Sequence, residues 1–130
     1  MYVLDPGIRN ATIDYLDESL IKDPAELGIV VESVLFDHLI RLKYDLEPGP
    51  TSEIFYWKEQ KEIDFILTIK RKAIPIESKY RTRIRDDPKN SLMEFVEDKK
   101  CPFGIIITKD EFGLERNIIK APLWIFLLMI

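Results

Sequence analysis

Three ionisable side chains, Asp64, Glu77 and Lys79, stand inside two runs of residues that read as β-strands. The runs are Glu62–Ile69 and Ala73–Tyr80, rich in β-branched and apolar residues and joined by the short turn Lys70-Arg71-Lys72. Charged residues in such strands normally stand at the ends. Alternation along the second run puts Glu77 and Lys79 on one face, with Ile76 and Ser78 on the other. Paired as a hairpin, the two strands bring Asp64 beside Glu77, so that two carboxylates and an ammonium converge. Like charges that close repel each other unless a cation lies between them. An oxygen-rich pocket of this kind suits Mg²⁺ (or Mn²⁺), and Mg²⁺ keeps several waters and takes one or two protein carboxylates. The same residues also fit a plainer arrangement. In it Asp64 starts its strand in solvent, and Glu77–Lys79 is an edge-strand ion pair of the common, weak kind.

A third carboxylate lies upstream on a long helix. Asp23-Pro24 is an N-cap followed by proline, Glu26 suits the positive helix end, and the apolar residues continue to about Arg41–Tyr44. On a 3.6-residue period Glu32 stacks with Ile29, Leu35, Phe36 and Leu39, along the apolar stripe. Burying an unpaired carboxylate costs several kcal/mol, so Glu32 needs either a partner or a route to water at the margin of the stripe. Gly28, one turn earlier, removes a side chain from the same face. His38, at the edge of the stripe, reads as structural.

The charge distribution adds a partner. Between Lys70 and Lys89 stand eight lysines and arginines against Glu77, Asp86 and Asp87, a local excess of +5 in a chain of net charge −4, so the remainder carries −9. A basic segment beside a carboxylate cluster is arranged to hold a polyanion. It also fits a solvated loop after a strand.

The remaining elements must position these groups. Tyr2-Val3-Leu4 reads as a brief strand and Asp5-Pro6 as the start of a helix to about Tyr15 or Leu16. Glu47-Pro48-Gly49-Pro50 breaks the long helix, and a strand follows at Ile54–Trp57. Asp86-Asp87-Pro88 caps a helix to about Lys99, and the continuous apolar run Phe103–Thr108 reads as a strand buried on both faces. A turn around Gly113, a strand at Asn117–Lys120 and a helical or extended segment from Leu123 complete the chain. At 130 residues, 46% hydrophobic and 32% charged, this is one globular domain of mixed α/β (α+β) class, 1–130, large enough for a core. One cysteine, Cys101, excludes a disulfide framework and a cysteine-rich zinc site. One histidine makes a Ser-His-Asp triad improbable. No signal peptide is visible, and the apolar end Leu123–Ile130 is too short to span a bilayer, so a cytoplasmic protein without a membrane partner is expected.

Glutamate on the first helix of the core, aspartate on the second strand and E-x-K on the third resemble the PD-(D/E)XK, or restriction endonuclease-like, superfamily, from Gly28 to about Thr108. A closer likeness is to the C-terminal nuclease-like domain of archaeal ATPases. Tyr2-Val3-Leu4-Asp5-Pro6-Gly7 resembles its Tyr-x-x-Asp-x-Gly lead-in. Glu62-Ile63-Asp64-Phe65 is similar to its E-[VI]-D-F strand, and Pro122-Leu123-Trp124-Ile125-Phe126 to its closing Pro-Leu-Trp-x-Phe. The second-strand motif lacks the proline of the superfamily's name. The resemblance implies a central mixed sheet flanked by helices, with Asp64 and Glu77 as ligands of Mg²⁺ and Glu32 completing or orienting the metal shell. Lys79 would position or help deprotonate the attacking water, and Arg81, Arg83 and Arg85 would hold phosphates. Tyr80 and Trp57 are further candidates for stacking on bases, though Trp57 reads first as core. The implied activity is metal-dependent hydrolysis of phosphodiester bonds in DNA. The implied context is the C-terminal portion of a longer ATPase, or a separately encoded equivalent acting with an ATPase domain. No nucleotide cofactor site is expected in the chain itself. A non-catalytic nucleic-acid-binding module and an oligomerisation domain, for instance a homodimer, are the alternatives.

Overall fold

The computed structural model describes residues 22–58, 62–80 and 88–129, with the isolated positions 8, 11 and 18. The expected lead-in strand and most of the first helix lie outside the described residues, as do Arg81, Arg83 and Arg85. From Pro24 on, the elements of the described residues follow in this order. Helix α1 (Pro24–Leu46) precedes strands β1 (Glu53–Lys58), β2 (Glu62–Ile69) and β3 (Lys72–Lys79). Helix α2 (Pro88–Asp98) leads to β4 (Gly104–Thr108), β5 (Gly113–Glu115), β6 (Ile118–Pro122) and a short α3 (Leu123–Phe126).

The strands form one mixed sheet in the order β1-β2-β3-β4-β6-β5. The β1–β2, β2–β3 and β5–β6 neighbours are antiparallel, whereas β3–β4 and β4–β6 are parallel. The expected turn around Gly113 is therefore itself an edge strand, and the segment from Leu123 begins as helix. Both outcomes depend on neighbours rather than on local pattern.

Helix α1 begins where sequence places it, because Asp23 accepts a hydrogen bond from the Ala25 N–H at 2.9 Å and proline occupies the first turn. Its buried stripe of Val31, Leu35, Leu39 and Leu42 packs on Phe65, Leu67, Ile76, Ile105 and Ile107. Leu92 and Val96 of α2 cover the other face, against Ile63, Ile66, Ile106 and Ile118. Strand β4 thus buries Ile105 and Ile107 under one helix and Ile106 under the other, which is why its sequence shows no alternation. Gly104 permits this closeness, since a Cβ there would meet Val96 Cγ2 at 3.0 Å and Ile118 Cδ1 at 3.1 Å. Pro75, buried in β3, pairs with Ile66 of β2 and lies one residue before the β3–β4 ladder begins at Ile76↔Ile105.

The β2–β3 turn consists of Lys70 and Arg71 alone, because Ile69 already pairs with Lys72. Both turn residues take positive φ, 49° and 62°, a conformation that suits glycine or asparagine. Glu47 anchors the turn through Oε2, which accepts the Lys70 N–H at 2.7 Å. Relief of the left-handed penalty outweighs the added freedom of the unfolded chain, so Arg71→Gly should stabilise the protein by about 0.5–1 kcal/mol. Urea unfolding would register this as a higher midpoint at unchanged slope.

His38 is structural, as expected. It is buried on α1, its ring meets Phe126 edge-on at a centroid distance of 5.3 Å, and Nε2 has no hydrogen-bond partner among the described residues. Burial holds its pKa below the ordinary 6.5, against a smaller opposing pull from the Phe126 backbone. The unfolded chain therefore takes up a proton near that pH which the folded one refuses, and His38 subtracts stability progressively as pH falls below about 6.5. His38→Phe should remove that slope from denaturation midpoints measured between pH 7 and pH 5.5.

Candidate active site

The β2–β3 ladder runs from Ile69↔Lys72 to Phe65↔Ile76. Asp64 and Glu77 are the next residues outward on each strand. There the strands fork. Beyond Ile76, β3 continues its ladder with β4 as far as Lys79↔Thr108. Across the fork the Ser78 N–H donates to Asp64 Oδ2 at 2.6 Å, a side-chain bond where a backbone bond would otherwise have continued the ladder.

A bulge opens the other side of β2. Phe55 pairs with Ile66 and Trp57 with Ile63, so Tyr56 alone faces two residues, Asp64 and Phe65. Such an insertion twists the strand and re-aims a side chain. It also resets the alternation. Ile63 and Ile66 both enter the core under α2, Phe65 enters the core under α1, and Asp64 lines a cleft beside α1.

Glu77 is 8% exposed, and Lys79 Nζ lies 2.8 Å from its Oε1. Its other oxygen, Oε2, is buried with no hydrogen-bond partner among the described residues. Burial pushes the Glu77 carboxyl above its ordinary range, and the charge of Asp64 adds to the rise. The Lys79 ammonium and the Asp64 backbone act against it. Asp64 is raised as well, chiefly by burial, with the Ser78 amide and then Lys79 opposing and Glu62 adding slightly. Burial thus raises both carboxyls at the fork, with the Lys79 ammonium as the positive charge beside them.

The cleft has a volume of about 710 Å³. Its floor and rim carry Asp64, Ser78, Lys79, Tyr80 and Lys109, and the first turns of α1 contribute Gly28 and Glu32. A side-chain carbon added at Gly28 would meet nothing within 4 Å, so the glycine leaves that wall open. Glu32 is half-buried and faces the cleft, the outcome in which the carboxylate at the stripe's margin has a route to water. Glu32, Asp64 and Lys79 thus line one cavity. Glu77 does not line it and is tied to it through Lys79. Among the described residues no three histidine, cysteine or carboxylate side chains gather closely enough to hold a metal by themselves. Asp64 and Glu77 therefore stand as a pair, with Glu32 on the opposing helix.

Two features escape sequence reading. Tyr56, opposite the bulge, donates a hydrogen bond to Glu62 Oε1. That bond, with the charges of Glu62, Asp64 and Glu32, pushes its hydroxyl up to about 12. Lys109 joins the cleft from the end of β4, and only the parallel register with β3 puts it there. Trp57, by contrast, meets Phe95 edge-on at 5.6 Å under the Lys99 ammonium, a packing role.

The sequence profile of the family described as Domain of unknown function (DUF4143) matches residues 27–126, a span that contains Glu32, Asp64, Glu77, Lys79 and Lys109. No curated protein matches the chain. No helix among the described residues is long and apolar enough to cross a membrane.

Proposed function

We propose that this chain, which belongs to the DUF4143 family, is a metal-dependent phosphodiesterase domain of PD-(D/E)XK type that hydrolyses DNA, working in cis or in trans with an ATPase. What carries the reading is the buried Oε2 of Glu77, without a hydrogen-bond partner among the described residues, beside Asp64 at the strand fork. An orphaned carboxylate oxygen next to a second carboxylate is a ligand set awaiting a hard cation, and Mg²⁺ or Mn²⁺ fits that oxygen chemistry. Asp64 and Glu77 would hold the ion, and Glu32 would complete or orient its shell from α1. When bound, the ion supplies charge neutralisation at the phosphate and lowers the pKa of water. Lys79 then holds or moves a proton at the attacking water, and the Ser78 amide keeps Asp64 aimed across the fork. Arg81, Arg83 and Arg85 would steady the flanking phosphates from just beyond β3. Incubation of plasmid and oligonucleotide DNA with Mg²⁺ or Mn²⁺ tests the reading. Cleavage that EDTA and Glu77→Gln both abolish is expected, and the absence of cutting on every substrate form removes the hydrolase reading.

A second reading, a non-catalytic nucleic-acid-binding or oligomerisation module, is favoured by the exposed Trp124, Leu128 and Met129 near the C-terminal end. Sedimentation separates the two. A dimer dispersed by Trp124→Ser, in a protein without cleavage, supports the second.

A further inference from the structure

We infer that the cleft between α1 and the carboxyl ends of β3 and β4 is a single-strand subsite, in which Lys109 holds a phosphate and Tyr80 stacks on a base. The inference rests on the phosphodiesterase reading for the identity of the ligand, and on its own geometry for the rest. Lys79 pairs with Thr108, so Tyr80 and Lys109 are the next residues at the ends of two parallel neighbours. Ligands of open sheets with parallel strands bind outside those ends. The Lys109 turn is fixed from both sides. Buried Thr108 donates through Oγ1 to the Glu111 carbonyl at 2.6 Å, and Glu111 Oε2 meets Lys120 Nζ at 2.7 Å.

The cleft is bipolar. Glu32 and Asp64 supply the acidic part, Lys79 and Lys109 the basic part, and the half-buried Tyr80 both lines the cavity and packs on the core. A nucleotide has the same division of needs, a phosphate for cations and a face for an aromatic ring. The volume, about 710 Å³, is that of a small-ligand site and admits one or two nucleotides, not the body of a duplex. Charge points the same way. A duplex carries one negative charge per roughly 1.7 Å of axis, and a chain of net charge −4 with one local basic pole is poorly matched to that density. The substrate presented to the carboxylates is thus a single strand, a frayed end or a flap.

Fluorescence anisotropy with a labelled single-stranded oligonucleotide and its duplex tests this, in Ca²⁺ buffer and again in EDTA. The native protein should bind the single strand at least about tenfold more tightly than the duplex. Lys109→Glu should weaken single-strand binding by about tenfold and flatten its salt dependence by about 0.7. Tyr80→Leu, which keeps apolar bulk against the core that Tyr80 packs on, should cost about tenfold through lost stacking. Lys99→Ala, beside Trp57, should change nothing. A duplex preference, or single-strand affinity indifferent to Lys109→Glu, overturns the subsite. The metal reading fails separately, on the absence of a Mg²⁺-induced rise in melting temperature. If single-strand binding in EDTA still depends on Lys109 and Tyr80, the subsite stands without it.

Discussion

Lys79→Ala should lower Mg²⁺-dependent DNA cleavage by about 10²–10⁴-fold while leaving the metal-induced rise in melting temperature in place. The size follows from where the ammonium stands. It is 2.8 Å from Glu77 Oε1, it lines the cleft, and its side chain is about a third exposed, so it faces a buried carboxylate and the cavity at once. On the proposed reading, removal would take away the group that handles the water's proton and no ligand of the ion. It also strips Glu77 of its counter-charge, so the variant should lose more stability at neutral pH than in acid, where Glu77 can take up a proton instead. Lys79→Arg separates the two roles. It keeps a cation beside Glu77 and should restore stability, but a guanidinium does not exchange a proton at neutral pH, so cleavage should stay low. If Lys79→Ala cuts DNA at the native rate, Lys79 is a partner of Glu77 and nothing more.

The legible and illegible parts of this site divide along one line. Strand β2 is readable to the residue from Glu62 to Ile69, because β-branched and apolar residues, interrupted only by Asp64, run from Ile63 to Ile69 between charged turns. The long helix is readable because Asp23-Pro24 specifies its start by local chemistry. What the chain does not announce is register. Nothing in Ile63-Asp64-Phe65-Ile66 marks a bulge, since the extra residue exists only relative to Tyr56 on the neighbouring strand. Strict alternation would have put Ile63 with Phe65, whereas the bulge sends it to the opposite core. Lys109 is hidden for the same reason. It looks like an ordinary residue of a polar turn until the β3–β4 pairing carries it alongside Tyr80. Glu32 lay within reach of sequence because a carboxylate on an apolar stripe is an anomaly that helical spacing alone exposes.

Asp64→Asn should leave the metal-free protein melting no lower than the native one at pH 7, or higher, and should erase the response to Mg²⁺. The sign follows from the two carboxyls. Asp64 and Glu77 both have folded pKa values raised above their ordinary 3.8 and 4.5. Below those ordinary values both are protonated in the folded and unfolded chains alike, and the favourable contribution is fully present. As pH rises through the folded pKa values the protein must give up protons that it held more tightly than the unfolded chain did, and that contribution is lost. At neutral pH the pair is therefore a strain on the metal-free fold. Asparagine in place of Asp64 removes one of the two charges, and its amide oxygen can still accept the Ser78 N–H. The gain in stability over the native protein should shrink as pH falls toward those ordinary values and the carboxyls take up protons. A cation bound to the native pair reverses the strain by linkage, worth about 2.7 kcal/mol at one hundred times its dissociation constant. Glu77→Gln should behave as Asp64→Asn does, and Glu32→Gln should weaken the metal response without abolishing it. Thermal unfolding from pH 4 to pH 8, with EDTA and with millimolar Mg²⁺ or Mn²⁺, reads all three variants in one series. A native protein whose melting temperature ignores both ions, or an Asp64→Asn variant that melts lower at pH 7 than at pH 4 by the native amount, would show that the two carboxylates at the fork neither strain the fold nor hold a metal.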